Sequence, residues 1–244
     1  MSGGDKVSLL SLYHKLLKEY GKQNWWPVDY EYHKKHGTDY REEIVIGAIL
    51  TQNTSWKNVE KALENLKRAK ALSFKAIRDI EKEKLEILIK PAGFYKRKAE
   101  YLKNFVERFT DIDKLSNISR DDLLKVKGIG KETADAILLY AVEKLTFVVD
   151  AYTKRLLKRF FNINGSYEEI KKLFEENLPR NLEIYKEFHA LIDVHCKEVC
   201  RKKPVCEACI LRNYCFFYLV EAAGIEPASE DGGHIRGSTG LARV

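Results

Sequence analysis

The chain has 244 residues, 45% hydrophobic and 32% charged, enough for one or two globular domains with a packed core. Its 43 Lys and Arg against 36 Asp and Glu leave a net charge of +7, which suits a polyanionic partner without identifying one. No run approaches the roughly 18 apolar residues of a membrane span, and no charged-then-apolar leader opens the chain, so a cytoplasmic protein is expected.

Leu9, Leu10, Leu12, Tyr13, Leu16 and Leu17 recur at helical spacing, and Gly21 supplies a stop. Asn24-Trp25-Trp26-Pro27-Val28-Asp29 follows as a non-helical link carrying two of the three tryptophans. The run Ile44-Val45-Ile46-Gly47-Ala48-Ile49-Leu50 fits a strand or a buried helix by pattern alone; its helical surroundings favour helix. Residues 51–55 break it and cap an amphipathic helix marked by Trp56, Val59, Leu63 and Leu66. Two short helices are expected over 74–88, hinged at 79–83. Pro91-Ala92-Gly93 stops them, and a basic amphipathic helix runs from Phe94 to Phe109. Ser119 with Asp122 resembles a capping box for a short helix.

Next comes Val126-Lys127-Gly128-Ile129-Gly130-Lys131-Glu132-Thr133-Ala134, two glycines at i and i+2 between helical patterns. Both glycines permit positive φ and close approach of a partner. The amides of the turn and of the following first helical turn have no intrahelical acceptor, and Lys127 and Lys131 add charge, so a phosphate suits the spot. An ordinary glycine-turned helical hairpin is the plainer alternative.

Beyond Asp150, residues 152–161 read as a basic helix. Ser166 with Glu169 gives a second capping box, and 184–199 a long helix with Phe188, Leu191, Ile192 and His195 inward. No alternating strand is convincing, so the fold is expected to be all-α. Residues 221–244 are glycine-rich and without periodicity, and the tail from 218 is taken as disordered. All five cysteines lie between 196 and 215, which argues for metal ligation over a distributed disulfide framework. Cys200, Cys206, Cys209 and Cys215 are separated by five, two and five residues around a basic insert, Arg201-Lys202-Lys203. Such compact loops favour a [4Fe–4S] cluster over zinc, and Cys196, one helical turn earlier, is an alternative first ligand.

The Gly-Ile-Gly hairpin, an aspartate 20 residues after its second glycine and a four-cysteine loop together resemble the helix–hairpin–helix DNA glycosylases of the endonuclease III superfamily, over most of residues 9–217. Leu50-Thr51-Gln52-Asn53-Thr54 and Gly93-Phe94-Tyr95-Lys96-Arg97-Lys98-Ala99 resemble two further DNA-facing segments of that family. The resemblance implies two helical lobes with a base pocket between them. One is 38–143; the other is 1–37 with 144–217. It also implies a monomer acting on double-stranded DNA with a damaged base, nucleoid-associated in the cell. The cysteine spacing departs from the commoner six-two-five pattern of endonuclease III.

In the bifunctional members a lysine two residues after the hairpin's second glycine attacks the sugar. Here that residue is Glu132, which cannot form an imine, so a monofunctional glycosylase is expected. Trp25-Trp26-Pro27, Thr51-Gln52-Asn53-Thr54 and Val148-Val149-Asp150 look closest to the 3-methyladenine branch. Carried over residue by residue, Asp150 is catalytic; Trp25, Trp26, Trp56 and Lys197 line the base pocket. Gln52, Lys127, Gly128, Ile129, Gly130, Lys131 and Thr133 meet DNA. A second pocket lysine of that branch is Leu191 here. Competing readings are a glycosylase/lyase for oxidised pyrimidines using Lys131, a non-catalytic DNA-binding module, and an iron–sulfur electron carrier.

Overall fold

The computed structural model describes residues 7–222, and among them there is no strand. The chain divides into two units, Asn24–Val148 and Met1–Gln23 with Val149–Val244. Residues 24–37 and 144–148 thus group with the central unit. For the first of these the reason is a buried polar knot: the Glu43 carboxylate accepts from the Asp29 amide at 2.9 Å and meets His33 at 3.0 Å and Lys67 at 3.0 Å.

The central unit is built around Tyr40–Leu50, in which every residue from Glu43 to Leu50 is buried. A helix apolar on all sides must be enclosed on all sides. Trp56–Arg68, Tyr95–Arg108 and Lys131–Ala136 with its π-helical continuation Ile137–Ala141 pack against it. The run that fitted strand or helix is therefore helix, and its glycine has a packing reason. A Cβ on Gly47 would stand 3.1 Å from the Trp26 ring. Phe74–Asp79 and Lys82–Ile89 form the two short helices.

In the terminal unit the long helix Leu182–Glu198 packs on Leu9–Tyr20 and on Ala151–Phe161. Leu12, Leu16, Leu156, Phe188 and Leu191 are almost wholly excluded from solvent. Leu191 is therefore a core residue here, with no room at that position for a charged side chain.

Side-chain caps start most helices. Ser166 and Glu169 form the full reciprocal box before Tyr167–Asn177. Ser119 makes only half of one: its oxygen accepts from the Asp122 amide at 3.1 Å while its hydroxyl donates to the Asp122 carboxylate at 2.6 Å. The expectation of disorder from 218 fails over residues 218–222. Phe216–Ala222 is a helix whose Phe217 ring lies 5.4 Å from the Arg159 guanidinium, an attachment that composition does not reveal. The remainder of that tail, 223–244, lies outside the described residues. No described helix is long and apolar enough to cross a membrane.

Candidate active site and nucleic-acid interface

The hairpin joins Arg120–Leu124 to Lys131–Ala136. Bidentate hydrogen bonds from Arg120 to the fully buried Asp135, 2.8 and 2.9 Å, lock the two helices together. Asp135 also accepts from the Thr146 hydroxyl at 3.0 Å, so the same carboxylate holds the segment leaving the hairpin. Only one of the two glycines uses positive φ. Gly128 has φ of +95°, and a Cβ there would sit 2.2 Å from the Tyr101 ring. Gly130 has φ of −90° and is the N-cap, with nothing within 4 Å of where a Cβ would be. That open ground lies at the first-turn amides, because Ala134 is the first residue whose N–H reaches an intrahelical carbonyl, Gly130 O at 2.8 Å. Ile129 and Thr133 are buried at 5% and 7%, and the Ile129 N–H already donates to Val126 O at 3.0 Å, so of the two a phosphate contact falls to the Thr133 backbone N–H. Lys127 pairs with Glu100 at 2.6 Å.

The Gln52 side chain donates to Gly128 O at 3.0 Å, joining its loop to the hairpin. Within the 93–99 segment that the resemblance marks as DNA-facing, the structure separates two residues whose parts the sequence does not reveal. Lys98 is buried, and its ammonium donates to Leu50 O and Ala92 O, both at 2.8 Å, tying the roots of the 51–55 and 93–95 turns. Burial pushes its pKa down to about 8. Phe94 is 63% exposed with φ of +46°, an apolar ring held outward by a left-handed backbone. Its signal in the sequence is an aromatic placed directly after the Gly93 stop.

Trp25, Trp26 and Trp56 are brought together. Ring centroids are 4.7 Å apart for Trp25–Trp56, 5.4 Å for Trp26–Trp56 and 5.5 Å for Trp25–Trp26, with Tyr140 5.4 Å from Trp26. All three indoles are half-buried, and the Trp26 ring N–H has no acceptor among the described residues. A cavity of about 720 Å³ in the same unit is lined by Trp56, Lys67 and the carboxylates of Asp29, Glu31, Glu60 and Glu64; its charge is wrong for phosphate.

In the terminal unit, Asp150 caps Ala151–Phe161. Its Oδ1 accepts from the Thr153 amide at 2.7 Å and the Thr153 hydroxyl at 2.8 Å. Its Oδ2 lies 3.8 Å from Nε2 of His189, a residue that periodicity does not single out. Lys197 is ion-paired with Asp193 at 2.6 Å, one turn back on the same helix.

Cys200, Cys206, Cys209 and Cys215 line one pocket, with Arg159 and His195 beside them. Cys196 does not line it: its thiol faces Tyr152 O at 3.6 Å. The Cys200 thiol is held well below its ordinary range by a hydrogen bond from Cys196 and by the Arg159 guanidinium. Arg159 donates to Cys200 Sγ at 3.6 Å and to the carbonyls of Arg201 and Lys202, while Arg155 donates to Cys200 O at 2.9 Å. His195 bonds Tyr20 at 2.9 Å, and burial pushes its pKa down to about 4. Among the described residues, no three His, Cys, Asp or Glu side chains converge tightly enough to hold a metal ion.

The family model for the HhH-GPD superfamily of base excision DNA repair proteins matches residues 46–180, a span that takes in the hairpin and Asp150. The chain belongs to this family. A protein of Methanocaldococcus jannaschii, provisionally named a DNA repair glycosylase, is 48% identical over 219 residues, covering 85% of this chain and 95% of the relative. Endonuclease III of Sulfolobus acidocaldarius is 29% identical over 183 residues, 72% of this chain and 81% of that one. Among solved structures, Helicobacter pylori 3-methyladenine DNA glycosylase bound to 1,N6-ethenoadenine superposes with a TM-score of 0.64 at 29% identity, covering 78% of this chain and 98% of that one. A non-covalent endonuclease III–DNA complex shares the fold, with a TM-score of 0.71 at 21% identity over 88% and 97% of the two chains. The HhH-GPD chain described here is accordingly a DNA glycosylase of base excision repair within the endonuclease III superfamily.

Proposed function

We propose that this glycosylase is monofunctional and excises alkylated purines of the 3-methyladenine type, leaving an abasic site. The observation that carries the reading is the residue two places after the hairpin's second glycine, where a carboxylate, Glu132, stands in place of an attacking amine. Lys131, one residue earlier, projects about 100° away around the helix. The Trp25–Trp26–Trp56 cluster supports the substrate class, because an indole face favours a cationic alkylated base over a neutral one by roughly 0.5–2 kcal/mol. The likeness to the Helicobacter pylori enzyme supports it as well.

The hairpin amides near Gly130, with Lys131, bind a phosphate and set position without reading sequence. The damaged nucleotide is extruded at an unstacking cost of a few kcal/mol. Gln52 exchanges its hydrogen bond to Gly128 O for the space left in the duplex, and Phe94 supplies an apolar wedge. As the glycosidic bond breaks, its electron pair leaves with the purine, neutralising an alkylated cation. Asp150 stabilises the charge that develops on the sugar through Oδ2, since Oδ1 is occupied by Thr153. Water then adds to C1′, and its proton goes to that carboxylate. Lys197 stays a pocket residue in this proposal, its ammonium kept near Asp193 until a base arrives.

Cys200, Cys206, Cys209 and Cys215 would hold a [4Fe–4S] cluster. Four thiols lining one pocket with compact five-two-five spacing are the donor set that such a cluster takes. When bound, the cluster serves as a structural clamp on the basic 201–203 insert. Absorbance near 400 nm with iron analysis tests it.

Release of 3-methyladenine from methylated duplex DNA by the wild type and Asp150→Asn tests the enzymatic reading. The wild type is expected to release base and the variant to lose at least about a hundredfold in rate. A borohydride-trapped protein–DNA adduct on an oxidised-pyrimidine duplex would overturn the monofunctional assignment in favour of Lys131 as a lyase nucleophile.

A further inference from the structure

Asp150 is held asymmetrically. Two hydrogen bonds from Thr153, 2.7 and 2.8 Å, fix Oδ1 at the start of Ala151–Phe161. They do not by themselves fix Oδ2, because the carboxylate's terminal torsion is broad. The group facing Oδ2 is the His189 imidazole, its Nε2 3.8 Å away, with both side chains only 14% exposed. That imidazole stands in the middle of Leu182–Glu198, which packs directly on Ala151–Phe161. Two rigid helices therefore deliver the pair, the arrangement that keeps a reacting group within the few tenths of an ångström catalysis demands. A separation of 3.8 Å is too long for a hydrogen bond and too short to admit a bridging water. It is a distance that closes with a small rotation of either side chain, as such contacts do when substrate fills a site.

We infer that His189 is a positioning residue for the Asp150 carboxylate, its Nε2–H closing on Oδ2 in the substrate complex and aiming that oxygen at the developing sugar cation. This rests on the assignment of Asp150 as the catalytic carboxylate. A packing role for His189 requires only its volume; a positioning role requires its N–H.

His189→Gln and His189→Met separate the two, because both side chains have similar length and only glutamine keeps a donor near the Nε2 position. The measurements are single-turnover excision from methylated duplex DNA at saturating enzyme, binding to a duplex with a tetrahydrofuran abasic analogue, and thermal midpoint. The glutamine variant should keep excision within about threefold of wild type and the methionine variant lose about tenfold or more, with binding and midpoint alike in both. Equal excision rates for the two variants, at whatever level, overturn the inference while Asp150→Asn remains inactive. An Asp150→Asn protein as active as wild type overturns the underlying assignment instead.

Discussion

Three glycines show how differently one residue type can be used. Gly47 gives up roughly 1 kcal/mol of helix propensity so that the Trp26 ring can lie against Tyr40–Leu50. Gly128 is required by the protein itself: positive φ and the Tyr101 ring both exclude a side chain. Gly130 is required by neither, having ordinary φ and empty space where a Cβ would go. Gly128→Ala is therefore expected to destabilise by about 2–4 kcal/mol in chemical denaturation, combining left-handed strain with overpacking. Gly130→Ala should leave stability within about 1 kcal/mol and weaken duplex binding instead, since its methyl group occupies the approach to the first-turn amides. If Gly130→Ala binds duplex as tightly as wild type in a titration at fixed salt, the hairpin is not the phosphate anchor.

Adjacent residues on Tyr40–Leu50 titrate in opposite senses. Hydrogen bonds and charge from His33, the Asp29 amide and Lys67 outweigh burial and hold Glu43 below the usual carboxylate range. Burial pushes Glu42 up to about 7, its main compensating contact being the Phe74 amide at 3.2 Å. For Glu43 the stabilisation is full above the unfolded carboxylate value and is lost as pH falls toward the lower folded value. For Glu42 the sign reverses: its contribution is full below about 4.5 and is lost as pH rises toward about 7. Glu42→Gln keeps the acceptor for Phe74 and removes the charge, so it should raise the thermal midpoint at pH 8 and flatten its dependence between pH 4.5 and 7. An unchanged slope across that range refutes the assignment. None of this was legible in the sequence, where Glu42 and Glu43 are two carboxylates beginning a helix. What was legible followed from periodicity and caps: the order of helices, the hairpin and the Ser166 box. Sequence alone groups residues 24–37 with the terminal lobe, because the Glu43 knot that binds them spans elements that sequence does not bring together. His189 escapes for the same reason, meaningful only through the carboxylate it faces, and so do the burial of Lys98 and the outward ring of Phe94 within a segment that the resemblance already marks.

Across the whole chain a surplus of seven positive charges must meet DNA partly as a diffuse field, because not every lysine at the expected contact face is uncompensated. Lys127 is the clearest case, lying 2.6 Å from the Glu100 carboxylate. That pairing makes a distinction testable by salt. Each phosphate neutralised by an uncompensated cation adds about 0.9 to the slope of log affinity against log salt, through release of condensed counterions. Lys127→Ala removes a cation together with its reason to bind Glu100, and the freed carboxylate then faces the DNA. The slope should therefore fall by less than one while affinity at low salt drops more than for an isolated lysine. Lys127→Ala combined with Glu100→Gln should recover most of that loss. Duplex titrations between about 50 and 200 mM salt read both quantities, and excision at saturating enzyme should stay nearly flat across the same series. A wild-type slope near zero would instead remove the phosphate backbone from the binding energy, and with it the reason for a basic protein to carry this hairpin.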